Sequence, residues 1–451
     1  MESFEAIIIG AGQAGPSLAA RFAGAGKKTA IVERHKYGGT CVNTGCIPTK
    51  TLVASARAAW VARRAADWGV SIEGSIRVDM KKVKERKDGV VRQSYEGLEK
   101  WLKGTANLTV IDGHARFENS HTIAVDGRRL SAPLIFINVG GRAVIPSIPG
   151  LDQIPYLTNS TMMDIDFLPE HLVVIGGSYI ALEFAQMYRR FGSQVTVIER
   201  SDRILMREDR DVSEAVTQFL TEEGIRILTN TQVLRAAASC TIETASGAVT
   251  GSHLLVATGR VPNTHDLGLE DTEVTRDKRG YILVDNELET EAAGVYALGD
   301  CHGRGGFTHT SYNDYEIVAA NLLDGDHRSL GDRFPCYAVY TDPPLGRAGM
   351  TETDVRNAGR KALIGKRPMS RVGRAVEKGE TKGFLKVLVD SETKAILGAS
   401  LLGAECDEAV HCLIDVMNAR QPYTAISRAV HIHPTVSELL PTVLQNLQPL
   451  E

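Results

Sequence analysis

Cys41 and Cys46 stand five positions apart in the stretch Gly38 to Lys50, which reads Gly-Gly-Thr-Cys-Val-Asn-Thr-Gly-Cys-Ile-Pro-Thr-Lys. The four residues between them leave room for one helical turn to bring two sulfurs within bonding reach. A pair placed in this way can open and close. Two other readings compete with a redox pair, a zinc site and an inert disulfide. The spacing, with no second Cys/His pair nearby, suits tetrahedral zinc poorly. A static disulfide is unusual in a reducing compartment. The other five cysteines, Cys240, Cys301, Cys336, Cys406 and Cys412, are scattered. An odd, scattered set reads as reduced thiols in a cytoplasm, which is the expected location.

The elements around this loop must position a carrier of electrons. Phe4 to Ile9, apolar apart from Glu5, runs into Gly10-Ala-Gly12-Gln-Ala-Gly15, followed by a small-residue segment, Ser17 to Ala25. This is the opening of a βαβ unit. A continuous apolar run suits a parallel strand buried on both faces. Gly10 allows the tight turn, Gly12 lets the backbone approach a pyrophosphate, and Gly15 lets helix meet strand. Glu33 closes the next strand, where it can accept hydrogen bonds from a ribose.

The unit occurs twice. His171 to Ile175 leads into Gly176-Gly-Ser178-Tyr-Ile-Ala181, and Glu199 follows Gly176 by 23 residues, as Glu33 follows Gly10. Ser178 and Ala181 stand at the second and third glycine positions. A duplication that keeps both the turn and the acid implies two dinucleotides. The nicotinamide signals conflict, because Glu199 favours a ribose 2′-hydroxyl while Arg200, Arg203 and Arg207 offer guanidinium forks for a phosphate. NADH and NADPH both remain open.

At 451 residues, with 43% hydrophobic residues and a formal net charge of −4, the chain suits a soluble protein of about three domains. No basic run would hold nucleic acid. No apolar run is long enough for a membrane span, and the N-terminus lacks a basic n-region. Arg57 to Lys103 reads as paired surface helices and Leu108 to Ile148 as a small sheet. A boundary falls near residue 150. Leu254 to Asn263, through the glycine turn at Gly259, returns the chain to its first domain. Val295 to Asp300 is a strand delivering an acid to its C-terminal end. Cys301 and His302 follow, and two adjacent residues without further ligands assign no metal site. Asp407 to Ala419 reads as one amphipathic helix.

The Gly38 to Lys50 string, the paired fingerprints and the terminal His433-Pro-Thr-Val-Ser-Glu438 string together resemble the class I pyridine nucleotide-disulfide oxidoreductases. This is the family of glutathione reductase, dihydrolipoamide dehydrogenase and mercuric reductase. The resemblance covers nearly the whole chain. It implies an α/β fold with two Rossmann-type dinucleotide-binding domains and a C-terminal α+β dimerisation domain. The segments would be 1–149 and 263–332 for FAD, 150–262 for NAD(P), and 333–451 for the interface. FAD would lie against Gly10, Gly12, Gly15, Glu33, Gly39, Thr40 and Asp300. The nicotinamide cofactor would meet Gly176, Ser178, Ala181, Glu199, Arg200 and Gly259.

The resemblance also implies roles at the site. Cys46 is the thiol against the flavin and Cys41 the one that attacks substrate, joined as a disulfide when oxidised. Lys50 and Glu183 form an ion pair near the flavin, and Tyr179 covers it until nicotinamide arrives. His433, oriented by Glu438, serves the disulfide of the partner subunit in a homodimer. Phe307 to Glu316 and Thr341-Asp-Pro-Pro344 look like the mercuric-reductase-like branch. The expected acceptor is therefore a small disulfide or a soft metal ion. A dihydrolipoamide dehydrogenase-type enzyme and a flavin-bound redox sensor are the alternatives.

Overall fold

The computed structural model describes residues 1–451. Strand Ala6–Ile9 lies at the centre of a five-stranded parallel sheet, in the order Val295–Ala297, Leu134–Ile137, Ala6–Ile9, Thr29–Glu33, Leu108–Asp112. Its apolar run is continuous because both faces are covered. Ile7 and Ile9 pack into one core with Val32 and Ile135, while Ala6 and Ile8 pack into another with Leu18, Phe22 and Phe136. The segment expected to form one small sheet is divided. Leu108–Asp112 and Leu134–Ile137 join the parallel sheet, and the three strands between them form a separate sheet with Glu2–Ser3. Residues 295–297 return to the edge of the first sheet from far along the chain.

A four-stranded parallel sheet carries the second unit, in the order Arg226–Leu228, Gln194–Ile198, His171–Ile175, His253–Val256. The two units share one backbone solution. Gly10 has φ +103°, and a Cβ there would lie 2.3 Å from the Asn138 carbonyl oxygen; Gly176 has φ +113°, and a Cβ there would lie 2.4 Å from the Ala257 carbonyl oxygen. In each case the first glycine of the turn presses on the chain leaving the neighbouring strand, so only glycine fits.

The last third of the chain builds a six-stranded antiparallel sheet from Cys336–Val339 to Gln448–Pro449. Short helices cover one face of it. The segment expected to be one helix is two, Cys406–Ala409 and His411–Asn418. A buried charge cluster joins this sheet to the second unit, where Lys386 donates to Asp209, Asp211 and Glu352 at 2.7–2.8 Å. Arg57 clasps Asp342 through two contacts of 2.6 and 2.8 Å. That contact ties the helix following the cysteine loop to the final sheet. No helix is long and apolar enough to cross a membrane.

Candidate active site

The cysteine loop is not the single helical turn that its spacing suggested. Cys41 sits in the short helix Gly39–Asn43, the chain breaks at Thr44 and Gly45, and Cys46 is the first residue of the helix Cys46–Arg63. Gly45 allows the break, since a Cβ there would lie 2.8 Å from the Thr40 carbonyl oxygen. Fold-back across this joint puts the two sulfurs close enough for each to perturb the other's titration.

Three groups lower the titration of Cys46. The Cys41 thiol contributes most, followed by the Thr308 hydroxyl, whose Oγ1 is 3.1 Å from the sulfur, and the Lys50 ammonium adds its charge. Together they outweigh burial and bring the Cys46 thiol down to about 6. The Cys41 thiol is pushed up by donating to Cys46 and by burial. One proton thus stays on Cys41, and the negative charge rests on Cys46.

Lys50 is held in place. Its Nζ is 2.9 Å from Glu183 Oε2 and 4.4 Å from the centroid of the Tyr340 ring. Glu183 is 3% exposed, and its other oxygen accepts from the Tyr340 N–H at 2.9 Å. A buried carboxylate with both oxygens engaged is a fixed counter-charge.

A cavity of about 1140 Å³ runs past these groups. Its lining includes the first glycine turn with Glu33, Gly39 and Thr40, together with Asp300, Tyr179, Glu183 and Phe307. Tyr179 opens the helix Tyr179–Phe191, and its ring lies 5.7 Å from that of Phe307. Burial raises its phenol to about 12. Asp300 Oδ2 pairs with Arg260 at 3.3 Å, and the preceding Gly299 N–H donates to the fully buried Asp314 at 2.8 Å. The cavity fits a dinucleotide with a long polar linker. The turn at Gly10 and the N-terminus of helix Gly15–Gly24 face its pyrophosphate end, and the carboxylates of Glu33 and Asp300 are spaced along it for hydroxyls.

Of the second turn, Tyr179 and Ile180 line this cavity, whereas Gly176, Ser178 and Ala181 do not. Gly176, Ser178 and Ala181 carry the chain from strand to helix, with Ser178 at the helix N-cap and Ala181 fully buried. Gly259, at φ +127°, follows the neighbouring strand. Arg200 is exposed at the end of strand Gln194–Ile198. His433 is also separate. Its Nδ1 meets Glu438 Oε2 at 2.9 Å, but its side chain is 78% exposed and does not line the cavity.

Thr308, Arg260, Tyr340 and Asn138 are functional candidates that sequence reasoning passed over. Asn138 donates from Nδ2 to the Gly10 carbonyl at 3.0 Å and so braces the turn. Thr308 lay within the Phe307 to Glu316 stretch, but no local signal tied it to a cysteine 262 positions earlier. Cys301 and His302 are buried: the Cys301 thiol donates to backbone carbonyls, and His302 Nε2 is 2.9 Å from Asp314 Oδ2.

Residues 4–314 match the model of the pyridine nucleotide-disulphide oxidoreductases, and residues 336–444 match that family's dimerisation domain. The chain belongs to the pyridine nucleotide-disulphide oxidoreductase family. Members of this family are FAD-containing, NAD(P)H-dependent oxidoreductases, and the dimerisation domain supports a homodimer. The chain is 36% identical, over 98% of both proteins, to the probable pyridine nucleotide-disulfide oxidoreductase RclA of Escherichia coli K12. It is 31% identical to the mercuric reductase of Staphylococcus aureus, over 90% of this chain and 76% of that protein. The solved structure of the HOCl-induced flavoprotein disulfide reductase RclA from E. coli superposes with a TM-score of 0.90, covering 98% of this chain and 99% of that one. The architecture is therefore the expected one, with two Rossmann-type units and a dimerisation domain.

Proposed function

We propose that the chain takes two electrons from reduced nicotinamide and delivers them, through the Cys41–Cys46 pair, to a small disulfide or a soft metal ion. The observation that carries this reading is the placement of Cys41 and Cys46 together on the wall of the cavity, with the Thr308 hydroxyl 3.1 Å from Cys46 and the Lys50–Glu183 ion pair lining the same space. FAD, when bound, supplies the hydride-accepting and electron-relaying chemistry. In this reading residues 1–149 and 263–332 hold FAD, 150–262 hold the nicotinamide cofactor, and 333–451 form the dimer contact.

The remaining work falls to side chains. Lys50 and Thr308 hold negative charge on Cys46, the sulfur on the flavin side in this reading. Two electrons open the Cys41–Cys46 bond. Cys41, once deprotonated, attacks one sulfur of a substrate disulfide, forming a mixed disulfide and expelling a thiolate. His433 of the other subunit, oriented by Glu438, takes the proton from Cys41 and returns it to the departing thiolate. Cys46 then attacks the Cys41 sulfur of the mixed disulfide, which re-forms the internal bond and expels the second half of the substrate as a thiolate that takes its proton from water. For a soft metal ion the same two sulfurs serve as ligands. A solved Cu(II) complex of the E. coli relative puts a transition-metal ion among the candidate acceptors.

Turnover of oxidised glutathione, lipoamide, Hg(II), Cu(II) and quinones by the FAD-loaded dimer tests the reading. Turnover confined to lipoamide would reassign the chain to the dihydrolipoamide dehydrogenase type. Failure with every acceptor, despite reduction of the thiol pair, would leave a redox sensor.

A further inference from the structure

Thr308 reaches Cys46 from a helix end that is held through both of its neighbours. The residue before it, Phe307, has its ring 5.1 Å from that of Tyr337 at an interplanar angle of 12°. The residue after it, His309, has its ring 5.4 Å from that of Phe307 at 10°, and its Nε2 donates to the Cys336 carbonyl at 2.6 Å. Three near-parallel rings and one hydrogen bond thus fasten the start of helix Thr308–Ala319 to strand Cys336–Val339.

Tyr337 is itself anchored at its far end. Its hydroxyl donates to Glu208, whose side chain is 3% exposed and which lies just before helix Arg210–Glu222 of the second unit. Arg347 stands directly opposite Tyr337 on the neighbouring strand, so the two side chains leave the same face of the sheet. Its Nε lies 3.3 Å from the other oxygen of the Glu208 carboxylate, and its Nη1 donates to the Ala348 and Ala399 carbonyls at 2.8 and 2.7 Å. A buried carboxylate with a phenol on one oxygen and a fixed cation at the other cannot swing away without leaving a charge unpaired. Burial, and then the charge of Glu208, pushes the Tyr337 phenol up, so it stays the donor. A hydroxyl that must meet a sulfur needs its backbone placed to within about 0.5 Å, and this stack supplies that placement.

We propose that Tyr337 is a positioning residue for the cysteine pair: anchored on Glu208 and Arg347, its ring holds Phe307 and thereby sets the Thr308 hydroxyl against the Cys46 sulfur. The inference rests on the reductase reading for the use of Cys46, but its test needs no acceptor, so failure with every acceptor would sink that reading and leave this one standing. The test is the rate of iodoacetamide alkylation of Cys46 against pH in the FAD-loaded dithiol dimer, with mass spectrometry to assign the site. Tyr337→Leu, which keeps apolar volume but loses ring and hydroxyl, is expected to slow alkylation at pH 6 by about two- to fivefold and to match the unaltered protein in alkali. Phe307→Leu should do the same, and Tyr337→Phe, which keeps the stack but not the anchor, should fall between. In a Thr308→Val background Tyr337→Leu should add nothing, because both act through one hydroxyl. A Tyr337→Leu protein that melts at lower temperature yet keeps the unaltered pH profile would overturn the inference, leaving Tyr337 a packing residue. So would an equal further loss in the Thr308→Val background. If Tyr337→Leu does not fold, Phe307→Leu carries the same comparison.

Discussion

The sulfur of Cys46 lies 3.1 Å from the hydroxyl oxygen of Thr308, which is the first residue of the helix Thr308–Ala319. A hydroxyl donor and a helix N-terminus thus meet the thiol whose titration is shifted down. Thr308→Val is expected to raise the Cys46 pKa from about 6 by roughly one unit, the worth of one hydrogen bond to a charged group. Thr308→Ser should restore it. The pH dependence of iodoacetamide alkylation in the dithiol protein reads this directly.

The same depressed pKa fixes a sign for reactivity. Alkylation of Cys46 should be near its plateau at pH 7 and fall as the pH drops through about 6. Cys41, whose proton is retained, should react slowly over that range. Mass spectrometry of the alkylated sites after a short pulse separates the two. Preferential labelling of Cys41 at pH 7 would contradict the charge division.

The two cysteines should also differ by spectroscopy. In the FAD-loaded, NADH-reduced protein, Cys46→Ser is expected to abolish the long-wavelength absorbance of a thiolate against the flavin, while Cys41→Ser keeps or strengthens it. The reverse pattern would exchange their roles.

Lys50 and Glu183 form a pair with one buried member, so removing the cation leaves a carboxylate that is 3% exposed without its counter-charge. Lys50→Met is expected to cost about 3 kcal/mol in urea unfolding, at the low end for a broken buried pair because Glu183 keeps the Tyr340 N–H. Cys46 should titrate at higher pH in the same variant. Unchanged stability would place the pair in a wetter setting than its burial indicates.

His433 stands exposed and outside the cavity of its own chain. A hybrid dimer of one Cys41→Ser subunit and one His433→Ala subunit should therefore regain about half the activity of the unaltered dimer, since one complete site is rebuilt across the interface. A histidine acting within its own subunit would leave both sites of the hybrid dead.

Much of this was legible in the sequence because it is local. Gly10 and Gly176 announce tight turns through a backbone requirement that no other residue meets, and Glu33 and Glu199 lie at a constant interval beyond them. The ion pair of Lys50 with Glu183 and the contact of His433 with Glu438 were named in advance, but through family resemblance rather than through any pattern in the residues. Local spacing misled where two backbone outcomes share one pattern. Four residues between the cysteines suited one helical turn, yet the chain breaks at Gly45. Apolar periodicity from Asp407 to Ala419 does not reveal the break between Ala409 and His411.

The sequence by itself determined the dinucleotide turns, the acids that follow them and the presence of a close cysteine pair, since each depends on residues within one βαβ unit or one loop. Only the tertiary structure decided which sulfur carries the charge. That choice depends on Thr308, Lys50 and the fold-back at Gly45, groups brought together from distant parts of the chain. It also decided that Glu199 repeats the hydrogen bonding of Glu33, because a carboxylate's partners are set by backbone direction, which residue types alone do not specify.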